Sequence, residues 1–115
     1  MTPDEMRQII MSFPGVEEAM SYGSPAYKVN GKFFTRLRKE DQSVVIVGVS
    51  MDEREMLMEA EPKTFHITPH YKDYPSVLAR IATLHPGSFH NFLERKWRTI
   101  APKAAVKSYD AAKAG

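Results

Sequence analysis

At 115 residues the chain has the length of one domain, expected to span 1–115, and a domain of that size hides roughly two-thirds of the surface its unfolded chain exposes. An apolar fraction of 43%, a charged fraction of 26% and no apolar run near the ~20 residues that cross a bilayer point to a globular protein; with no basic start leading into an apolar stretch, a cytoplasmic location and no membrane partner are expected. The lack of cysteine excludes disulfides, thiolate metal sites, cysteine nucleophiles and iron–sulfur clusters, and a formal net charge of +2 is too small to name a partner.

Thr2-Pro3-Asp4-Glu5 reads as a capping box with proline at the first helical position, since the threonine hydroxyl and the glutamate carboxylate can each satisfy an orphaned N–H. The helix it opens places Met6, Ile9, Ile10 and Phe13 on one face and stops at Pro14-Gly15. After Ser24-Pro25, a short strand from Ala26 to Asn30 meets a second from Lys32 to Lys39 across Asn30-Gly31, the dipeptide suited to a type I′ turn. Glu40-Asp41-Gln42 turns the chain into Ser43 to Val49, whose unbroken apolar character predicts a central strand covered on both faces.

Ser50 and Glu53 open a helix that Pro62 ends, with Met51, Met56, Leu57 and Ala60 expected inward. A short strand follows near Phe65 to Thr68, then the loop within "TFHITPHYKDYP" (64–75), then a strand from Ser76 to Leu84. Past His85-Pro86-Gly87-Ser88, the stripe Phe89, Phe92, Leu93, Trp97 and Ile100 predicts a longer helix with Trp97 in the core. Pro102 separates it from a short last helix, and the Ala/Lys-rich tail after Asp110 is expected to fray. Hairpin-length connections cannot make parallel crossovers, so the order predicts an α+β fold: a single twisted antiparallel sheet with helices packed on one face.

Few of these segments carry chemistry. His66 and His70 are four apart, but Pro69, Ile67 and Thr68 argue against the helix that would bring them together, and no metal site is expected. In the 64–75 loop, Pro69 and Pro75 suggest a rigid entry into the next strand, with Tyr71 and Tyr74 packing their rings. Ser21, Ser24 and Ser43 lack a nucleophile elbow, and neither a phosphate-binding glycine motif nor a converging acid pair is present, so no catalysis and no cofactor are expected. Charge is uneven: Asp52 to Glu61 holds five acids, whereas Arg95 to Lys113 holds six bases against Asp110.

The segment with the most chemical character is Lys32-Phe33-Phe34-Thr35-Arg36-Leu37-Arg38-Lys39. A period of two sends Phe33, Thr35 and Leu37 one way and Lys32, Phe34, Arg36 and Arg38 the other, a basic face with an aromatic among its charges. Such a face suits phosphates and stacked bases, and Lys28, Lys72 and Arg80 are expected to extend it; the alternative is a solvated edge protected by its charges.

Three stretches, "FPGVEEAMSYGSPAYKVNGKFFTRLR", "MDEREMLMEAEPKTFHITPHYKDYPSVLARI" and "WRTIAPKAAVKSYD", together resemble the MmcQ/YjbR family of small bacterial proteins over nearly the whole chain. The most specific parts are Pro14 to Glu18, Gly31-Lys32-x-Phe34, Thr68 to Tyr71 through Tyr74-Pro75, and Trp97 followed by Ala101-Pro102-Lys103. The resemblance implies a fold similar to the bacterial frataxin homologues, with a double-wing arrangement of hairpins described as DNA-binding. Frataxins hold iron on an acidic ridge, a pattern from which this chain departs, its first helix offering only Asp4 and Glu5 beside Arg7. The expected function is therefore a non-enzymatic DNA-binding protein using Lys28, Lys32, Phe34, Arg36, Arg38, Lys72 and Arg80. The alternatives are a small-molecule binding or sequestering protein, with a pocket between sheet and helices lined by Tyr22, Tyr27 and Tyr71, and an adaptor using the acidic helix. Oligomeric state is left open.

Overall fold

The computed structural model describes residues 1–21 and 23–114, among which lie four α-helices and one six-stranded antiparallel sheet. Helix α1 (Pro3–Met11) starts at the expected capping box: the Thr2 hydroxyl accepts from the Glu5 N–H at 3.1 Å, and the Thr2 N–H donates back to the Glu5 carboxylate at 3.4 Å. Strand β1 (Val16–Ser21) follows, then β2 (Ser24–Val29) and β3 (Lys32–Arg38), joined by Asn30 and Gly31 with φ of 55° and 73°. Positive φ at both positions is what a type I′ hairpin requires. Strand β4 (Ser43–Val47) and helix α2 (Met51–Ala60) lead to β5 (Phe65–His66), a single 3₁₀ turn at Pro69–Tyr71, and β6 (Ser76–Arg80). Helices α3 (Pro86–Ile100) and α4 (Lys103–Ala114) complete the chain, and the strand order is β1-β2-β3-β4-β6-β5.

Strand β1 has no counterpart in the sequence reading. Its residues are mostly exposed, because it pairs on one side only, with β2; the alternating burial that betrays a strand is therefore missing. Glu17 and Glu18 on this edge discourage pairing with another chain.

The sheet has two unequal faces. Val44, Ile46, Val77 and Ala79 share one face with Val29 and Leu37 and pack into the core with Met6 and Ile10 of α1 and Phe89, Leu93 and Trp97 of α3. Trp97 is fully buried, as its stripe predicts, and its Nε1–H donates to the Pro14 carbonyl at 2.9 Å, which removes the cost of burying that donor. Val45 and Leu78, one residue out of phase, must face the other way, yet they are 2% and 0% exposed. Residues 67–75 return across that face, so the strand read as covered on both sides is covered by a helix layer and a loop layer.

Arginine holds the loop layer. Arg54 of α2 is buried, and its guanidinium donates to the carbonyls of Tyr71 and Tyr74 at 3.1 Å and of Lys72 at 3.0 Å. This corrects the expected inner face of α2, since Met51 and Met56 are exposed and only Leu57 of the named set is half-buried. The helix leans on β5 and β6 at the sheet's edge, where its neighbours include carbonyl groups that a hydrocarbon side chain could not satisfy.

The C-terminal segment also differs from expectation. Helix α4 continues to Ala114, tied to α3 through Glu94, whose carboxylate accepts from the Tyr109 hydroxyl at 2.8 Å and from Lys113 at 3.3 Å. Arg98 donates to Asp110 at 2.6 Å. No helix among the described residues is long and apolar enough to cross a membrane.

An aromatic and cationic cleft as the candidate functional site

A one-residue irregularity in β3 decides which side chains face the open side of the sheet. Tyr27 pairs with Thr35, but the next residue, Lys28, pairs with Phe33, so Phe34 is the extra residue of a β-bulge. The bulge reverses the alternation. Phe34 turns into the core, 1% exposed and edge-to-face with Phe13 at 5.8 Å, and Phe33 takes the open face across from Lys28. The expectation that Phe34 stands among the cations is therefore corrected. Lys32 pairs with the buried Val29 and leaves from the helix side at the hairpin's end, whereas Arg36 and Arg38, beyond the bulge, share the open face.

Between that face and the returning loop lies a cleft of about 420 Å³. Phe33, Arg36, Val45 and Val47 form its strand side, and His70, Tyr71 and Tyr74 form the loop side. Gly48, Pro75 and Ser76 close one end, where the Gly48 N–H donates to the Pro75 carbonyl at 3.1 Å. Lys96 reaches this end from the helix layer. Gly48 has a φ of 79°, a left-handed value that favours glycine, and a Cβ placed there would lie 3.9 Å from Cδ of Lys96, so the lysine stem runs directly past it. Two buried polar atoms on the lining, Nε of Arg36 and Oγ of Ser76, have no hydrogen-bond partner in the protein. Tyr74, expected to pack its ring, is 55% exposed.

Beside the cleft, Asp41 binds the His66 ring at 2.9 Å and the Arg38 Nε at 3.4 Å, and Arg38 also lies 3.6 Å from Glu40. The Arg38 guanidinium sits 5.5 Å from the centre of the Tyr71 ring, which links this ionic cluster to the cleft wall. Burial opposes ionisation of Asp41, but the His66 hydrogen bond and the Arg38 charge outweigh it and hold its pKa below the ordinary value.

Of the seven residues expected to form one basic surface, Lys28, Arg36, Arg38 and Arg80 share the open face, but not as free cations throughout. Phe34 is in the core, Arg38 is neutralised, and Arg80 donates to the Lys63 carbonyl at 3.2 Å. Lys28 is exposed between Glu17 on β1 and Phe33 on β3; Lys72 is exposed on the loop; Arg36 alone of the seven lines the cleft. A cavity of about 330 Å³ does lie between α2, α3 and Phe65 of β5, but the tyrosines expected to line such a pocket are not there. Tyr71 lines the cleft on the opposite face, Tyr27 is a core residue at 1% exposure, and Tyr22 lies outside the described residues.

Of the six cations of α3 and α4, Arg98 and Lys113 are paired as described and Arg95 meets Glu53 at 2.9 Å, whereas Lys96, Lys103 and Lys107 form no ion pair among the described residues. The four histidines occupy separate surroundings: His66 on Asp41, His70 on Tyr71, His85 capping α3, and His90 against Phe13. Phe33, Val47, His70, Ser76 and Lys96 were not anticipated as site residues. Two signals in the sequence pointed toward them together: a strand apolar on both faces, and a Pro/Tyr-rich loop able to cover the second one.

A profile of the YjbR family matches residues 11–99, which include every residue that lines the cleft. The chain belongs to the YjbR family. Uncharacterized proteins of Mycobacterium bovis and Mycobacterium tuberculosis are similar to this YjbR chain, each 29% identical over 93 residues that cover 78% of the chain and 72% of the relative. No solved structure matches it. The family match ends just before α4, so the helix anchored on Glu94 lies outside the matched segment of this YjbR member.

Proposed function

We propose that this protein is a non-enzymatic binding module that holds a small, largely apolar and planar molecule in the cleft between the open sheet face and residues 67–75. The observation that carries the reading is the cleft itself, whose volume of about 420 Å³ suits a small organic ligand and whose walls combine the rings of Phe33, Tyr71 and Tyr74 with Val45 and Val47. Its ionisable lining groups are Arg36, His70, Tyr71, Tyr74 and Lys96, with no carboxylate among them to orient a base, which favours binding over catalysis.

A thermal-shift screen of planar ligands tests the proposal, since a ligand at 100 times its Kd adds about 2.7 kcal/mol of stability. Hits are expected to lose at least tenfold in affinity in Phe33→Ala and Tyr74→Ala, two exposed positions where the fold tolerates truncation. Hits that bind both variants as they bind the parent would overturn it.

One observation favours a second reading, DNA binding. Lys28, Lys32, Arg36 and Lys72 form no ion pair among the described residues, and Phe33 beside Lys28 offers a ring on which an unstacked base could lie. Under this reading single-stranded DNA binds with a log–log salt slope near −0.7 per phosphate neutralised, and Lys28→Ala with Arg36→Ala lowers that slope by about 1 to 1.5. Binding insensitive to salt and to both changes would exclude it.

A further inference from the structure

Resting on the small-molecule reading, we infer that the ligand of the cleft carries an anionic group, a carboxylate or a phosphate, received by Lys96, Ser76 and Arg36. The lining is unbalanced in one direction: it offers the cations of Arg36 and Lys96 and the hydroxyls of Tyr71, Tyr74 and Ser76, but no carboxylate. On α3, Arg95 and Arg98 are taken up by Glu53 and by Asp110 with Glu94. Lys96 stands between them without an ion pair among the described residues, and its stem passes Gly48 to reach the closed end of the cleft. That end also holds Ser76, 3% exposed, whose Oγ has no partner.

A buried hydroxyl and a buried guanidinium N–H left unmade are costly in a folded protein unless something from outside completes them. An acceptor-rich anion supplies what all three groups lack, and the ammonium of Lys96 makes the contact charge-assisted. The rest of the lining is mostly aromatic and aliphatic, so inorganic anions alone leave the walls of Phe33, Val47 and Tyr74 unfilled. The ligand class that matches both parts is a planar organic acid or an aryl phosphate, seated with its ring between strand and loop.

The test uses the full chain and three probes of one shape: 2-naphthoate, 2-naphthyl phosphate and the neutral 2-naphthamide, followed by amide NMR titration in a zwitterionic buffer. At least one anion is expected to bind tenfold or more tightly than the amide, shifting signals of residues 33, 48, 71 and 76. Lys96→Met is expected to reduce that preference to threefold or less while the amide's affinity stays within twofold; Ser76→Ala, which keeps the backbone register, is expected to weaken the anions further. Equal binding of anions and amide at these residues, or a preference unchanged in Lys96→Met, overturns the inference and leaves the cleft reading standing. No shift at the cleft with any probe overturns the cleft reading itself.

Discussion

Arg54 shows how one side chain can determine a surface that it does not itself form. It supplies donors to three carbonyls of the segment 71–74, so the loop layer depends on a cation drawn from a helix otherwise rich in acids. Replacing it with methionine of similar volume leaves those carbonyls without partners, and a loss of about 3 kcal/mol in urea unfolding is expected, with faster amide exchange across residues 67–75. An unchanged midpoint and unchanged exchange would refute that role. Asp41 acts at the same scale with a pH signature. Its folded-state pKa is depressed, so the stabilisation is fully present above the ordinary value of 3.8 and is lost as pH falls through the lower folded value. Asp41→Asn should therefore be least stable relative to the parent near neutral pH, with the difference shrinking below about pH 4 in denaturant titrations across that range.

Among the elements, β3 separates what pattern could reveal from what it could not. Its limits and its type I′ turn follow from Asn30-Gly31 and the run beginning at Lys32, and both are found. A strict period of two, however, assigns Phe33 inward and Phe34 outward, and a single bulge at Phe34 inverts the pair. Two adjacent phenylalanines look alike to any pattern, whereas the core has room for one. Phe34→Ala should cost about 3–5 kcal/mol in unfolding free energy, and Phe33→Ala less than about 1 kcal/mol, because only the former leaves a cavity. Equal losses in matched urea titrations would contradict the bulge. Helix α2 departs from its pattern for a related reason: Met51, Met56 and Leu57 satisfy helical spacing, but the helix borders backbone carbonyls, and Arg54 meets them.

For the molecule as a whole, charge is organised by layer. The basic stretch from Arg95 to Lys113 reads as a footprint for an anion, yet Arg95, Arg98 and Lys113 each close on a carboxylate, and of Lys96, Lys103 and Lys107, which do not, Lys96 lines the cleft. The Arg98 and Lys113 pairs fasten α4 to α3 beside Tyr109, whose ring lies 4.8 Å from that of Trp97 and whose hydroxyl, by burial and by its bond to Glu94, has its pKa pushed up to about 12. Glu94→Ala should loosen α4 and expose the single tryptophan, read as a red shift of its emission that added salt enhances. Emission identical to the parent's would show that α4 is held by its apolar contacts alone.

The sequence by itself determined the α+β class, the capped start of α1, the Asn30-Gly31 hairpin turn, the burial of Trp97 and the double covering of β4. Each of these follows from residues near one another in the chain, through caps, turn dipeptides and periodicity. Only the tertiary structure decided that the second cover is the 67–75 loop, that Arg54 pins it, that Phe33 and Arg36 face it, and that Lys96 arrives from the helix layer. Those outcomes depend on groups brought together from distant positions, where a one-residue bulge or a carbonyl in need of a donor overrides local pattern.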